Sequence, residues 1–231
     1  MQRGDHQAAL AIAGERVALA TEANDSFELG WALNDRGLVL IRLGKAEQAS
    51  EDIRRACELF ESAGFVSATL SVKVNLAFLS VTAGDLEGGE AELEALLQQP
   101  GLQKIPRAWC AGNLACLKIL SGEWEDARAL LGAALPVVWE ARDELFEFCL
   151  ELLAAISVED GDPRRSARLL GLARASLDER GVRVLDREAR EVDLFERTYD
   201  RSRRLLGDEQ FVAEQRKGRA LLLNFRPDQV L

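Results

Sequence analysis

The sequence has little of several residue types on which catalytic and metal sites depend. Its 231 residues include one histidine, His6, one tyrosine and one methionine. A Ser-His-Asp or Cys-His catalytic arrangement would have to use His6 near the start of the chain. A Cys/His zinc site would have almost no histidine ligands to draw on. Acidic pairs such as Glu144 and Glu147 are expected to be solvated charges on helices. We therefore expect no enzyme activity, no metal and no cofactor.

Cysteine is also scarce for a chain of this length. The four cysteines form no C-x-x-C pair, and two of them stand six residues apart, which does not make them neighbours on one helix face. Their low density argues against a disulfide framework. We expect buried thiols that behave as small hydrophobic side chains, at Cys57, Cys110, Cys116 and Cys149.

Basic residues are outnumbered, with 29 Lys and Arg against 39 Asp and Glu, for a net charge of −10. Residues 181–231 are nearly balanced, with 11 basic and 10 acidic residues, so the acidic excess lies before them. A field of that sign repels phosphate, which argues against direct nucleic-acid binding. No apolar run reaches the roughly 18–20 residues that span a bilayer. Residues 1–14 lack the features of a secretory signal. We expect a cytoplasmic protein that contacts no membrane.

The composition favours helix, because aromatics are only 6% and Ala, Leu, Glu and Arg dominate. A self-similar pattern follows a glycine at intervals of 38–40 residues. Small residues recur seven positions before the last four of these glycines, and five positions after each of the five. The repeated turns are predicted at Gly4, Gly44, Gly84, Gly122 and Gly161.

The flanking segments are amphipathic at helical spacing, as Leu33 and Leu40 before Gly44 and Ile53 after it illustrate. Glycine permits the left-handed conformation that ends a helix, so each unit is predicted to be a hairpin of two helices. The chain opens in a second-helix pattern, residues 8–23, whose apolar face would be exposed, so we expect a missing segment upstream. Pro136 should kink or end its helix. First helices are predicted near 28–43, 66–83, 106–121 and 143–159, and second helices near 46–63, 86–98, 124–140 and 163–179.

The stretch Ala32–Ala49 resembles one repeat of the tetratricopeptide repeat (TPR) family. Asn75-Leu76-Ala77 with Gly84, and Asn113-Leu114-Ala115 with Gly122, are similar to the next two repeats. The resemblance implies an all-α fold, a right-handed solenoid with a half repeat and four hairpins in residues 1–180. Residues 181–231 are predicted to form a C-terminal cap, with helices over 188–206 and 208–222 and a short one beginning at Pro227.

In the TPR family the first helices line a concave groove, and the resemblance carries that groove onto this chain. The family's Lys residues that clamp a terminal carboxylate are replaced here by Asn34 and Trp109. The groove is instead apolar with a few amides, which suits a helix or an extended peptide. The tryptophans and Phe78 could equally be core between repeats. The predicted groove residues are Trp31, Asn34, Leu38, Arg42, Val74, Asn75, Phe78, Trp109, Asn113, Phe148 and Glu151.

A second resemblance involves Ser166–Gly171, Leu206-Gly207, Phe211, Gly218–Leu221 and Pro227–Leu231. These segments are similar to the end of the TPR region of large bacterial regulators with a STAND-type ATPase module and a LuxR-type, antibiotic-regulator-type or nucleotide cyclase output domain. No Walker sequence is present. The resemblance implies a sensor region that binds a protein, a peptide or the regulator's own upstream domains. The alternative is a free-standing TPR adaptor or a self-associating scaffold that forms a homodimer.

Overall fold

The computed structural model describes residues 3–143, 145–181 and 189–230, and within these ranges it contains helices and no strand. Glu144 and the predicted helix start at Glu188 lie outside the described residues. The chain divides into two compact units, residues 1–110 and 111–231. The helices are α1 (Arg3–Glu22), α2 (Ser26–Arg42), α3 (Ala46–Ser62), α4 (Val66–Thr82), α5 (Leu86–Leu97), α6 (Lys104–Ser121), α7 (Trp124–Ala141), α8 (Leu145–Glu159), α9 (Pro163–Glu179), α10 (Ala189–Leu206) and α11 (Asp208–Leu221), followed by short 3-10 helices at Leu222–Asn224 and Pro227–Gln229.

Four of the five predicted hairpin turns are present and the one predicted at Gly4 is not, and further turns lie between most of them. At Gly44 the φ angle is 71°, and the N–H of Lys45 donates to the carbonyl of Leu40 at 2.9 Å. This bond, back to a residue five positions earlier, satisfies a carbonyl that the helix end would leave without a partner. Positive φ recurs about every 20 residues, except for one interval of 38 residues between Gly84 and Gly122, at Asn24, Gly44, Gly64, Gly84, Gly122, Arg142, Gly161 and Gly181. Gly4, which the sequence aligned with these glycines, lies in the first turn of α1.

In the first unit, small residues bring α2 and α3 into close contact. A Cβ on Gly37 would lie 2.4 Å from Cγ1 of Ile53, and Ala49 and Ala56 are completely buried. Arg36 on α2 makes a two-pronged ion pair with Asp52 on α3, with both N–O distances at 2.6 Å. The core around this hairpin contains Leu33, Leu40, Ala49, Ile53, Ala56, Cys57, Phe60, Ala68, Val72 and Leu79.

The connection from α5 to α6 is longer than the other turns, as Pro100, Gly101 and Pro106 predicted. Arg107, in the first turns of α6, reaches back over this loop and donates to the carbonyls of Leu97 and Gln99. One guanidinium therefore binds the last carbonyl of α5, which helix geometry leaves unpaired, and also a carbonyl of the loop that follows.

In the second unit, α9 packs against α8, α10 and α11. Helices α9 and α11 come unusually close, because a Cβ on Gly171 would lie 2.2 Å from the carbonyl oxygen of Gln215, and one on Gly218 would lie 1.9 Å from that of Arg168. The buried hydroxyls of Ser166 and Ser202 are 2.8 Å apart and join α9 to α10. Small residues are required wherever two helix backbones approach this closely.

A buried carboxylate adds a polar contact to the same helix pair. Glu214 on α11 accepts hydrogen bonds from Lys217 at 2.7 Å and from Arg168 on α9 at 2.5 Å. These two cations hold the pKa of Glu214 below its ordinary value of 4.5. The buried carboxylate of Glu147 on α8 accepts hydrogen bonds from Ser176 at 2.6 Å and from Arg180 at 2.8 Å. Both carboxylates therefore have partners that compensate their burial.

Candidate functional site

The strongest candidate surface lies where α2 and α4 run side by side in the first unit. The amide of Asn75 donates from Nδ2 to Oδ1 of Asn34 at 2.8 Å. The sequence predicted both amides as hydrogen-bonding groups for a partner. The structure brings them together, and this single hydrogen bond between them joins the two helices. We refer to Trp31, Asn34, Leu38, Arg42, Val74, Asn75 and Phe78 as the α2–α4 face.

The side chains of this face differ in how much of them a partner could reach. Asn34 and Val74 are buried, at 4% and 2% exposed. Leu38 follows Asn34 by one helical turn and Phe78 follows Val74 by one turn, and both are half-buried. Arg42 lies one further turn along α2 and is exposed. Reachable apolar surface is therefore concentrated at Leu38 and Phe78.

Trp31 belongs to an aromatic cluster at the start of α2. Its ring centroid is 5.1 Å from that of the fully buried Phe60, and Phe27 contacts Phe65 at 4.9 Å. Trp31 is half-buried, whereas Phe27 and Phe65 are 39% and 41% exposed. Trp31 therefore contributes to packing between α2 and α3, within one predicted hairpin. The exposed rings beside it were not identified from the sequence.

The remaining predicted groove residues lie further along the chain. Trp109, at the end of the first unit, and Asn113, in the second unit, are both half-buried on α6. Phe148 on α8 contacts the ring of Phe195 on α10 at 5.9 Å in an edge-to-face arrangement. Glu151, one turn after Phe148, is half-buried. A helix of the predicted cap thus covers part of the first-helix row of the second unit.

The cysteine thiols are packed inside the helical units. All four cysteines are free and buried, which confirms their prediction as core residues. Burial raises the pKa of the Cys110 thiol to about 12 and raises that of Cys149 as well. A thiol so far from ionisation is a poor nucleophile at neutral pH. Among the described residues, no group of three or more His, Cys, Asp or Glu side chains is placed to hold a metal ion.

Within the described ranges, no helix is both long enough and apolar enough to span a membrane.

Two apolar side chains are exposed on the outward side of the first helix, with exposed charged residues between them. Ile12 and Leu19 on α1 are 61% and 65% exposed, while Ala13 and Ala20 pack inward. The inward-facing apolar residues of α1 pack against the core formed by α2 and α3. The prediction that this helix leaves its apolar face uncovered is therefore wrong.

A second aromatic cluster, unforeseen from the sequence, lies in the second unit. Trp139 near the end of α7 and Phe146 at the start of α8 have ring centroids 4.9 Å apart. Phe225, beyond the end of α11, contacts both rings, at 4.8 Å and 5.2 Å. The aromatic residues were visible in the sequence, but no local pattern connects positions so far apart.

No protein-family model matches the chain, and no curated protein matches it.

Proposed function

We propose that this chain is a non-catalytic protein-interaction domain, a right-handed TPR-like repeat with a C-terminal cap, that binds a helix or an extended peptide. The observation that carries the proposal is the α2–α4 face. There, Leu38 and Phe78 remain half-buried beside the amide pair of Asn34 and Asn75. Apolar side chains next to a few fixed polar groups are typical of peptide-binding surfaces.

In this proposal Phe78 is the main anchor. A phenylalanine that becomes fully buried contributes roughly 1.5–3 kcal/mol, and aromatic residues dominate the binding energy of many interfaces. Leu38 extends the apolar contact onto α2, and Arg42, one turn beyond, favours a partner with an acidic residue at that end. Because Asn34 already accepts from Asn75, its role is to hold the two helices in register.

We further propose that the domain is the C-terminal sensor region of a bacterial signalling or transcriptional regulator. The support comes from the segments that resemble such regulators. Gly171 and Gly218 occupy the close approach of α9 and α11, and Phe211 is 1% exposed beside Tyr199. Close packing therefore explains why glycine and phenylalanine occupy these positions. A partner on the repeats would then change how this region docks on the rest of the regulator, a step based on analogy with the family.

Selection from a displayed library of helical and extended peptides tests the binding proposal. Peptides should be selected on the wild-type chain and counter-selected on Phe78→Ser. Val212→Ser is the matched control, because Val212 is 43% exposed on α11 in the other unit. We expect the selected peptides to bind wild type and Val212→Ser equally and not to bind Phe78→Ser. Peptides that bind all three proteins alike, or a selection that yields none, would contradict the proposal.

A second candidate function, a self-associating scaffold, is favoured by the exposed Ile12 and Leu19 on α1. Apolar side chains on one outer face favour pairing with a like surface. Light scattering over a dilution series distinguishes the two functions. The scaffold predicts a wild-type dimer that becomes a monomer in the Ile12→Ser, Leu19→Ser double variant. A monomer at every concentration would remove this candidate.

A further inference from the structure

The segment that follows α11 folds back onto α7, α8 and α9 of the second unit. Its Phe225 ring lies against Trp139 and Phe146 and is only 6% exposed. The two receiving rings flank the turn between α7 and α8, so the ends of two consecutive helices build the site. Edge-to-face and tilted contacts at these distances are the favoured arrangements of aromatic rings. We call residues 222–230 the tail segment, and Trp139, Phe146 and Arg165 the tail pocket.

A second contact lies five residues further along the tail segment. The side chain of Val230 is 6% exposed, and its backbone carbonyl accepts a hydrogen bond from Nη2 of Arg165 on α9 at 2.7 Å. The N–H of Val230 donates to the carbonyl of Pro227 at 3.1 Å, within the segment itself. The contacts of the segment with these helices therefore include the side chains of Phe225 and Val230 and the Val230 carbonyl, and the Val230 N–H is used within the segment's own turn.

The link between α11 and this docked portion is exposed. Leu223 is 88% exposed, Asn224 is exposed, and Phe225 and Arg226 lie outside any helix. A segment held by side chains and one carbonyl, at the end of a solvated link, resembles a bound peptide more than a core helix. Segments with few buried contacts open locally at lower free energy than the core does.

We propose that the tail pocket is a peptide-binding site and that the tail segment is its occupant in cis. Its ligand is a segment with an aromatic residue, a short 3-10 turn and, five positions after the aromatic residue, an aliphatic residue whose carbonyl meets Arg165. Such a segment from another chain displaces the tail segment. The site goes beyond the proposed function, because it uses no residue of the α2–α4 face. Either binding site can fail its test without affecting the other.

The proposal is tested with a labelled peptide of residues 222–231 and the full-length chain. Phe225→Ala removes the cis ring while leaving the chain length unchanged. We expect the labelled peptide to bind Phe225→Ala saturably in fluorescence anisotropy, and to bind wild type at least tenfold more weakly. The weaker binding arises because a tethered segment competes at a high effective concentration. Leu223→Ala is the matched control, since this exposed side chain belongs to the link, and it should behave as wild type.

Two further comparisons identify the pocket. Adding Trp139→Ala to Phe225→Ala should reduce peptide affinity at least tenfold, and an unlabelled peptide with Phe225→Ala should fail to compete. A folded Phe225→Ala chain, judged by circular dichroism, that binds no more peptide than wild type would overturn the proposal. So would binding that persists without Trp139. If Phe225→Ala does not fold, Phe225→Leu replaces it, because leucine keeps an apolar side chain at this position. The proposal is then overturned if Phe225→Leu binds the labelled peptide no more tightly than wild type does.

Discussion

Replacing Gly218 with alanine should destabilise the second unit, although the same change usually stabilises a helix. Gly218 lies in α11, and a Cβ there would meet the carbonyl oxygen of Arg168 at 1.9 Å and its carbonyl carbon at 2.7 Å. Both are backbone atoms, so a change of side-chain rotamer gives no relief. Overpacking of this kind costs typically about 1–3 kcal/mol, and we take the upper end because the obstacle is backbone. The helical preference of alanine over glycine offsets about 1 kcal/mol, leaving a net loss of about 2 kcal/mol.

Thermal unfolding followed by circular dichroism measures this loss. For a chain of this size, about 2 kcal/mol lowers Tm by roughly 4–8 °C. Gly132→Ala is the control, because Gly132 lies inside α7 and a Cβ there meets nothing within 4 Å. It should raise stability by about 0.5–1 kcal/mol. If Gly218→Ala were as stable as Gly132→Ala, the close approach of α9 and α11 would be refuted.

Three further predictions concern the buried polar groups and thiols. Asp52→Ala should cost about 2 kcal/mol in urea unfolding, because it leaves the part-buried Arg36 without its carboxylate, and a cost near zero would contradict the pairing. Since its two cationic partners lower the pKa of Glu214, its stabilisation is present above pH 4.5 and is lost as the pH falls through the lowered value. Glu214→Gln should therefore be less stable at neutral pH, and the gap should close in acid. Cys110, whose pKa is raised to about 12, should resist alkylation at pH 8 until the chain is unfolded, and rapid native labelling at that site would contradict its burial.

Much of the fold was predictable because its signals are local. The predicted second helix over 46–63 is α3, Ala46–Ser62, and the turn between α2 and α3 lies at Gly44, where φ is positive. Periodicity places an apolar face, and a glycine marks the end of a helix, without any knowledge of distant contacts. The turns at Asn24 and Arg142 were not anticipated, because non-glycine residues there adopt positive φ and carry a weaker sequence signal.

Other features depend on contacts that no local pattern reveals. Pro136 was predicted to kink or end its helix, and it does not end α7, which continues to Ala141. Its side chain is exposed, so the carbonyl that it deprives of a partner can bind water. Asn34 and Asn75 were identified individually, but only the packing of α2 beside α4 makes them partners. The contact between Phe225 and Trp139 likewise depends on tertiary structure alone.

The most direct test of the binding account is a ratio of dissociation constants. A peptide selected on the wild-type chain should be titrated by calorimetry into wild type, Phe78→Ala and Val212→Ala. The account predicts that Phe78→Ala weakens binding at least tenfold, about 1.4 kcal/mol, since Phe78 is the anchor of the α2–α4 face. Val212→Ala should leave the constant unchanged. Equal constants for all three proteins would show that the peptide binds elsewhere and would contradict the account.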